Sequence, residues 1–421
     1  MKNERKILLV QPEFPISNKS YYYKDYLPIG LLKIASYLKN YESIKKIMLV
    51  YGMKPKDLIK SKIGYPTDIY ITSLFTYWAS YCYEAINYYS ELFPHATIHF
   101  GGIYVSLMFD YVRQKIADLF PNRKIEMTQG IVNEVEFSNW EHGPLLSLLP
   151  NYQNIDFIII HAMRGCPRKC DFCGTHIIEP ENTYRNAECL EKYILMITRK
   201  YPNIKRLVFY DNNFLKNPNI ILILRMLTEL TVKGIIRECE SQSGFDGRLL
   251  NQELANGLKS AKFIHPRIAW DGKYVLKDNI SDQIQYLINA GYDRKELSVF
   301  MLYNWDLCFD VMINKVKCCI DWKVQIADCR LRPINLDKQD GYNPRKIHGQ
   351  NKDDYYIHDN WKDWQVRLFR KIVRKANIMT RMNWNNMQYS QWMRHQKIEK
   401  DSEGSSSDFI DADILNYKIW Y

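Results

Sequence analysis

Short apolar runs alternate with amphipathic helices along the first 130 residues. A helix is predicted over 28–38, because Leu31, Leu32, Ala35 and Leu38 recur at helical spacing. A second helix is predicted over 85–92. Buried strands are predicted over 6–10, 47–51, 68–75, 97–100 and 126–129. This order of elements predicts a doubly wound, Rossmann-like domain over 1–130, with ligands at the carboxyl ends of its strands.

A second alternating series follows the first. Its strands are predicted near residues 156, 206, 235, 266, 297 and 324. After the first interval the strands recur about every thirty residues, which is the length of one βα unit. Six such units predict a partial (β/α)6 barrel over 154–345, with its chemistry at the carboxyl ends of the strands. Residues 131–153 have no clear period and are predicted to be a linker.

A helical region is predicted over 346–398. Trp364, Leu368 and Ile372 would share the apolar face of a helix over 361–376. From Glu399 the sequence EKDSEGSSSD is polar, so 399–421 is predicted to be a flexible tail. The predicted fold class is therefore α/β, with a Rossmann-like domain, a partial barrel and a C-terminal helical region.

Composition and charge narrow the functional classes. Hydrophobic residues make up 46% of the 421 residues, which excludes wholesale disorder. The net charge of +11 suits an anionic substrate, although the excess is spread along the chain and an ordinary basic surface is the preferred explanation. We expect no membrane span and no signal peptide, and hence a cytoplasmic protein with reduced thiols. Clusters among its ten cysteines are then expected to bind metal or to serve catalysis rather than to form disulfides.

The cysteine spacing after the first strand of the second series is the most specific feature of the sequence. Residues 161–173 read HAMRGCPRKCDFC, which places Cys166, Cys170 and Cys173 at C-x3-C-x2-C spacing. Thiolates in one tight loop can bind three irons of a cubane cluster, which normally has four cysteine ligands. No fourth cysteine lies nearby in the sequence, so one iron would stay open to a substrate. Zinc is the alternative, but structural zinc sites have four ligands in paired spacings.

This loop resembles the signature of the radical S-adenosylmethionine (radical SAM) enzymes, including the aromatic Phe172 before the third cysteine. The resemblance covers about residues 151–335. It implies that the three cysteines hold a 4Fe–4S cluster and that S-adenosylmethionine completes its coordination. One electron, from a donor such as flavodoxin or ferredoxin, would then cleave the sulfonium and give methionine and a 5′-deoxyadenosyl radical. The cofactors supply that chemistry, and the protein orients them.

The resemblance also implies S-adenosylmethionine contacts at the ends of the second, third and fourth strands of this series. The residues predicted to make them are Asp211, Asn212, Asn213, Gln242, Asp246 and Asp271. The family usually has a glycine-rich turn ending in glutamate after the second strand, whereas this chain has Asp-Asn-Asn. Asp211 is expected to pair with the ammonium group of the methionine part. Plain polar turns and helix caps are the alternative for all six.

The N-terminal domain resembles the cobalamin-binding domain that precedes many radical SAM barrels. The residues that would hold the cofactor are Thr72, Ser73, Gly101, Gly102 and Ser106. Glycines permit a close backbone approach to a bulky ligand. The Asp-x-His-x-x-Gly motif that ligates cobalt is absent, since QPEF follows the first strand. We therefore expect that cobalamin, if bound, has no protein histidine beneath the cobalt.

Three functions follow from these resemblances. In the first, a cobalamin-dependent enzyme methylates a carbon atom of an unknown substrate. In the second, the N-terminal domain is empty and the enzyme isomerises, oxidises or cross-links its substrate. The third is a non-catalytic binding protein, against which the intact cysteine triad argues.

Overall fold

The computed structural model describes residues 5–16, 27–42, 44–343, 349–383 and 388. The chain divides into two compact units. The first comprises Met1–Asn212, Asn217–Glu238 and Pro333–Gln339, and the second comprises Asn213–Lys216, Cys239–Arg332 and Asp340–Tyr421. The boundary between the units does not coincide with the predicted linker, because residues 131–153 lie wholly in the first unit.

A five-stranded parallel sheet forms the N-terminal part of the first unit. Its strands are β1 (Arg5–Gln11), β2 (Ile44–Tyr51), β3 (Asp68–Ser73), β4 (Thr97–Gly102) and β5 (Ile125–Met127). They lie in the order β2-β1-β3-β4-β5, and β1, which lies between β2 and β3, aligns Val10 with Val50 of β2 and Ile71 of β3. The order reverses beside β1, as the predicted doubly wound domain requires.

Helices cover both faces of this sheet because β1 is apolar on both sides. Ile7 and Leu9 pack with Leu31 on one face, whereas Leu8 and Val10 pack with Ile86 on the other. The helices are α1 (Ile29–Tyr41), α2 (Lys56–Ile63), α3 (Ala79–Leu92), α4 (Ile103–Leu107) and α5 (Phe109–Leu119). A strand buried on both faces is typical of a parallel sheet.

The predicted linker contains a helix, α6 (Asn133–His142). Its Glu136 carboxylate lies 2.8 Å from the Lys33 ammonium of α1, and both side chains are largely buried. Burial lowers the pKa of Lys33 despite the opposing charge of Glu136. A buried ion pair of this kind holds α6 against α1, so this part of the segment belongs to the packed first unit.

The rest of the first unit begins the second alternating series. It contains β6 (Phe157–Ile160), β7 (Met163–Arg164), α7 (Thr175–Ile178), β8 (Thr183–Tyr184), α8 (Ala187–Lys200), β9 (Arg206–Phe209) and α9 (Ile220–Val232). Strands β6 and β9 are parallel and align Ile160 with Phe209, whereas β7 and β8 form a short antiparallel pair. The side chain of Asn186 caps α8 by accepting a hydrogen bond from the Cys189 N–H.

The second unit continues the series with four strands and four helices. These are β10 (Glu238–Ser241, of which Glu238 belongs to the first unit), α10 (Gln252–Ser260), β11 (Arg267–Ala269), α11 (Lys277–Asn289), β12 (Ser298–Tyr303), α12 (Phe309–Trp322), β13 (Gln325–Arg330) and α13 (Asp363–Met382). Strands β11, β12 and β13 form a parallel sheet in that order. The side chain of Asn377 in α13 bonds both backbone groups of Ile326 in β13, at 2.7 and 2.8 Å.

The six strands predicted for the second series are β6, β9, β10, β11, β12 and β13, and β10 begins three residues after its expected position. The helix predicted over 361–376 is α13. The predicted tail over 399–421 lies outside the described residues, as does part of the region 346–398. Among the helices that the structure describes, none is long and apolar enough to cross a membrane.

Candidate cluster and cofactor sites

The cysteine loop extends from the carboxyl end of β6, whose four residues are all buried. Cys166, Cys170 and Cys173 are half-buried thiols, and none of the ten cysteines forms a disulfide. The Cys173 N–H donates to the Cys170 carbonyl oxygen at 3.0 Å, which closes the turn between the second and third cysteines. Three thiols are thus presented by one short segment, as the spacing predicted.

The arrangement of these thiols bears on which metal group the loop fits. Structural zinc sites have four ligands, whereas this loop supplies three cysteines. In a cubane each cysteine binds a different iron atom, so three sulfur atoms need not meet at one point. The donor set therefore fits an iron–sulfur cluster better than the zinc alternative.

Asp211 lies beneath the loop and bonds its backbone. It is fully buried, and its two carboxylate oxygens accept from the N–H groups of Ala162 and Met163 at 3.1 and 2.6 Å. Burial raises the pKa of Asp211 to about 8, against the opposing effect of these hydrogen bonds. The structure therefore places Asp211 in support of the loop, and its contact with an ammonium group stays a prediction.

Glu179 supports the loop from its other end. Its Oε2 accepts from the Gly165 N–H at 2.6 Å and from the Asn212 amide at 3.2 Å, while its Oε1 lies 2.7 Å from the Arg164 guanidinium. Asn212, predicted to contact S-adenosylmethionine, thus donates to Glu179. Sequence reasoning missed Glu179, because this residue lies six positions beyond the last cysteine and belongs to no recognised motif.

Two further polar residues complete this support. The Asn217 amide donates to the carbonyl oxygens of Ala162 and Arg185 at 2.8 and 3.1 Å. His161 is buried, and its Nε2 lies 2.6 Å from the Arg164 guanidinium. Burial, together with the charge of Arg164, lowers the pKa of His161 well below its usual value. His161 is therefore neutral and accepts a hydrogen bond from Arg164.

In the second unit the structure brings together two of the residues predicted to contact S-adenosylmethionine. The Asn213 amide donates to Asp246 Oδ2 at 3.3 Å, and Asp246 Oδ1 accepts from Arg248 at 2.7 Å. Gln242 is half-buried and follows β10 directly, in the same segment as Asp246. This segment places polar side chains directly after β10, at the strand end where the barrel pattern predicts them.

Asp271 follows β11 and is half-buried. Burial raises the pKa of Asp271, and the nearby charge of Lys315 opposes this effect. The Lys315 ammonium donates to the carbonyl oxygens of Trp270 and Gly272 at 2.9 and 2.6 Å, on either side of Asp271. Lys315 therefore fixes the backbone that carries this carboxylate.

At the carboxyl edge of the N-terminal sheet, most of the predicted cofactor residues bond each other. The Ser73 hydroxyl donates to the Gly101 carbonyl oxygen at 2.9 Å and accepts from the Val105 N–H. The Ser106 hydroxyl donates to the Gly102 carbonyl oxygen at 2.8 Å and accepts from the Gly130 N–H. Both hydroxyls are thus engaged within the fold, and the ligand contacts of Ser73 and Ser106 stay predictions.

Gly102 has a structural role that does not need a ligand. Its φ of +104° lies in the left-handed region, and a Cβ there would lie 2.4 Å from the Ser73 carbonyl oxygen. The close approach that this glycine permits is therefore to β3. By contrast, a Cβ at Gly101 would meet Thr128 at an ordinary 3.5 Å, and Thr72 is half-buried. These two residues remain suited to contact a ligand.

Gln11, the last residue of β1, is a candidate contact for a cofactor that has no histidine ligand. Gln11 is 1% exposed, and its amide nitrogen has no hydrogen-bond partner in the described structure. An unsatisfied buried donor at the carboxyl end of β1 fits a polar ligand at this edge. His99 lies within β4, stacks on Tyr70 and bonds Asp68 at 3.0 Å. It is therefore engaged by neighbouring side chains of the sheet.

Comparisons with known proteins support the fold. No family model matches the chain, and no curated protein matches it. Among solved structures, the radical S-adenosylmethionine methyltransferase TsrM from Kitasatospora setae, with cobalamin and a [4Fe–4S] cluster bound, has a TM-score of 0.60 at 13% identity, covering 79% of this chain and 77% of the TsrM chain. TsrM with its tryptophan substrate and the analogue aza-SAM has a TM-score of 0.56 at 11% identity, covering 79% and 75%. The predicted α/β class is confirmed, and the chain has the fold of the radical S-adenosylmethionine enzymes.

Proposed function

We propose that this protein is a radical SAM enzyme whose 4Fe–4S cluster is bound by Cys166, Cys170 and Cys173. The observation that carries the proposal is the loop of three half-buried thiols after a buried strand, in a chain with the radical SAM fold. When bound, the cluster passes one electron to S-adenosylmethionine, which yields methionine and a 5′-deoxyadenosyl radical. An electron carrier such as flavodoxin or ferredoxin is the proposed donor.

The chain's own residues bind and orient these groups. Thiolates are the ligands that iron–sulfur clusters require, and Phe172 lies between the second and third of them. The S-adenosylmethionine contacts that we propose are those of Asn213, Gln242, Asp246 and Asp271. Their carboxylate and amide groups can bond ribose hydroxyls and an ammonium group. Asp211 and Asn212 are assigned to the loop's support instead.

The reaction we propose is cobalamin-dependent methylation of a carbon atom. It is supported by the likeness, over 79% of the chain, to a methyltransferase solved with cobalamin. Thr72, Gly101 and the unpartnered amide of Gln11 are the residues we assign to the cofactor. With no histidine in the loop after β1, the cobalt would have no protein nitrogen ligand from that loop. The net charge of +11 favours an anionic substrate.

A second candidate is a radical SAM isomerase, oxidase or cross-linking enzyme with an empty N-terminal domain. It is favoured by the hydrogen bonds of Ser73 and Ser106, which satisfy both hydroxyls within the protein. In this case the N-terminal domain serves a structural or substrate-gating role.

Anaerobic reconstitution with iron, sulfide and hydroxocobalamin tests both candidates. We expect about four irons per chain and 5′-deoxyadenosine on addition of S-adenosylmethionine and dithionite. Cobalt retained after gel filtration supports the methyltransferase, and its absence with active cleavage supports the second candidate. A chain that binds no iron under these conditions contradicts the radical SAM proposal itself.

A further inference from the structure

Glu179 joins three separate parts of the chain around the cysteine loop. Its side chain is only 10% exposed. It accepts from the Gly165 N–H, directly before Cys166, and pairs with the Arg164 guanidinium. It also accepts from Asn212 after β9. One carboxylate thus connects the start of the loop, the end of the loop and the neighbouring strand of the parallel pair.

The backbone at Gly165 shows how closely the two ends of the loop approach. Gly165 has a φ of +76°, and a Cβ there would lie 2.3 Å from the Glu181 carbonyl oxygen. Just outside this point, β7 and β8 align Met163 with Tyr184. The three cysteines therefore lie within a hairpin that is closed at its base. Glu179 accepts from the N–H of Gly165, the residue directly before the first cysteine.

The charges around Arg164 also depend on Glu179. The other side of the Arg164 guanidinium faces His161, which is buried and lies beside the positive charges of Arg164 and Lys33. Removal of the Glu179 carboxylate would therefore leave Arg164 without its closest anionic partner, two residues from Cys166. Charge this close to an iron–sulfur cluster changes its reduction potential.

We propose that Glu179 is a positioning residue for the cluster: it fixes the Gly165 amide, and hence the Cys166 thiolate, and it balances the charge of Arg164. This proposal rests on the proposed function, because it needs a cluster on the cysteine loop. It assigns to Glu179 two separable effects, one through a hydrogen bond and one through charge. The two effects can be separated because glutamine retains the acceptor oxygen and loses the charge.

The test compares wild type, Glu179→Gln and Glu179→Ala after anaerobic reconstitution. Glu188→Gln is the control, because Glu188 is an exposed glutamate that pairs with Lys192 on the surface of α8. The readouts are iron retained under a chelator, the midpoint potential of the cluster by spin resonance, and the rate of 5′-deoxyadenosine formation. Far-UV circular dichroism of the iron-free proteins checks that each variant folds.

We expect Glu179→Ala to lower iron retention and 5′-deoxyadenosine formation by about 10- to 100-fold, the usual range for residues that orient metal ligands. Glu179→Gln should retain most of the iron but shift the midpoint potential to more positive values, because a negative charge is lost. The control should match wild type in all three readouts.

Two results would overturn the assignment while the radical SAM proposal stands. One is wild-type iron retention, potential and rate in both Glu179 variants. The other is equal loss in Glu179→Gln and Glu179→Ala, because the amide oxygen of glutamine can still accept from Gly165. If wild type itself binds no iron, the proposed function fails first, and this outcome is distinct from both.

Discussion

The cysteine loop and the Gly101-Gly102 turn are both polar segments at the ends of buried parallel strands, but they use hydrogen bonds differently. In the cysteine loop the backbone is held by residues from elsewhere in the chain, chiefly Asp211 and Glu179. At the glycine turn, the predicted ligand residues Ser73 and Ser106 hold the turn itself. Residue types at a strand end therefore suggest a binding site. The hydrogen-bond partners of their polar atoms then distinguish residues that can bind a ligand from residues that hold the backbone.

The largest effect should come from the loop's thiols. We expect Cys170→Ala to abolish the brown chromophore and 5′-deoxyadenosine formation, because two cysteines cannot hold a cubane that normally needs more ligands. Iron content and absorbance after anaerobic reconstitution measure this. Cys308→Ala is the matched control, because Cys308 is exposed and lies outside the loop. An active, full cluster in Cys170→Ala would contradict the assignment of the cluster to this loop.

The glycine turn offers a matched pair of substitutions. Gly102→Ala places a Cβ against the Ser73 backbone at a positive φ and should lower the free energy of unfolding by about 2–4 kcal/mol. Gly101→Ala meets only ordinary contacts and should not destabilise the fold. Chemical denaturation of the cobalamin-free protein measures both. Equal stability of the two variants would contradict a structural role for Gly102 and favour a role in ligand binding alone.

A substitution of Asp211 tests the support of the cysteine loop. Asp211→Asn replaces one acceptor oxygen with a donor that faces a backbone N–H group, because both oxygens are engaged. We expect a loss of about 1–3 kcal/mol in the free energy of unfolding, typical of an unsatisfied buried group. Urea denaturation of the iron-free protein measures this. Unchanged stability, with weaker S-adenosylmethionine binding, would instead restore the predicted contact with the ammonium group.

Sequence periodicity predicted the strands of both series, because burial on two faces requires runs of apolar residues such as Ile7–Val10. It missed α6, whose sequence NEVEFSNWEH has no clear apolar face. This helix packs through the buried pair of Glu136 with Lys33, residues 103 positions apart in the chain. A pattern confined to one segment carries no information about such a partner.

The sequence by itself determined the alternating strands and helices and the spacing of three cysteines in one loop, because these features depend on neighbours in the chain. Only the tertiary structure decided which polar residues support the loop. Asp211 accepts a hydrogen bond from the N–H of Ala162, which lies 49 positions away in the chain. Similarly, position 102 requires glycine because of the Ser73 carbonyl oxygen, which belongs to a different strand. Hydrogen bonds are directional and short. Whether a polar residue supports the backbone or binds a ligand therefore depends on distant segments that folding brings together.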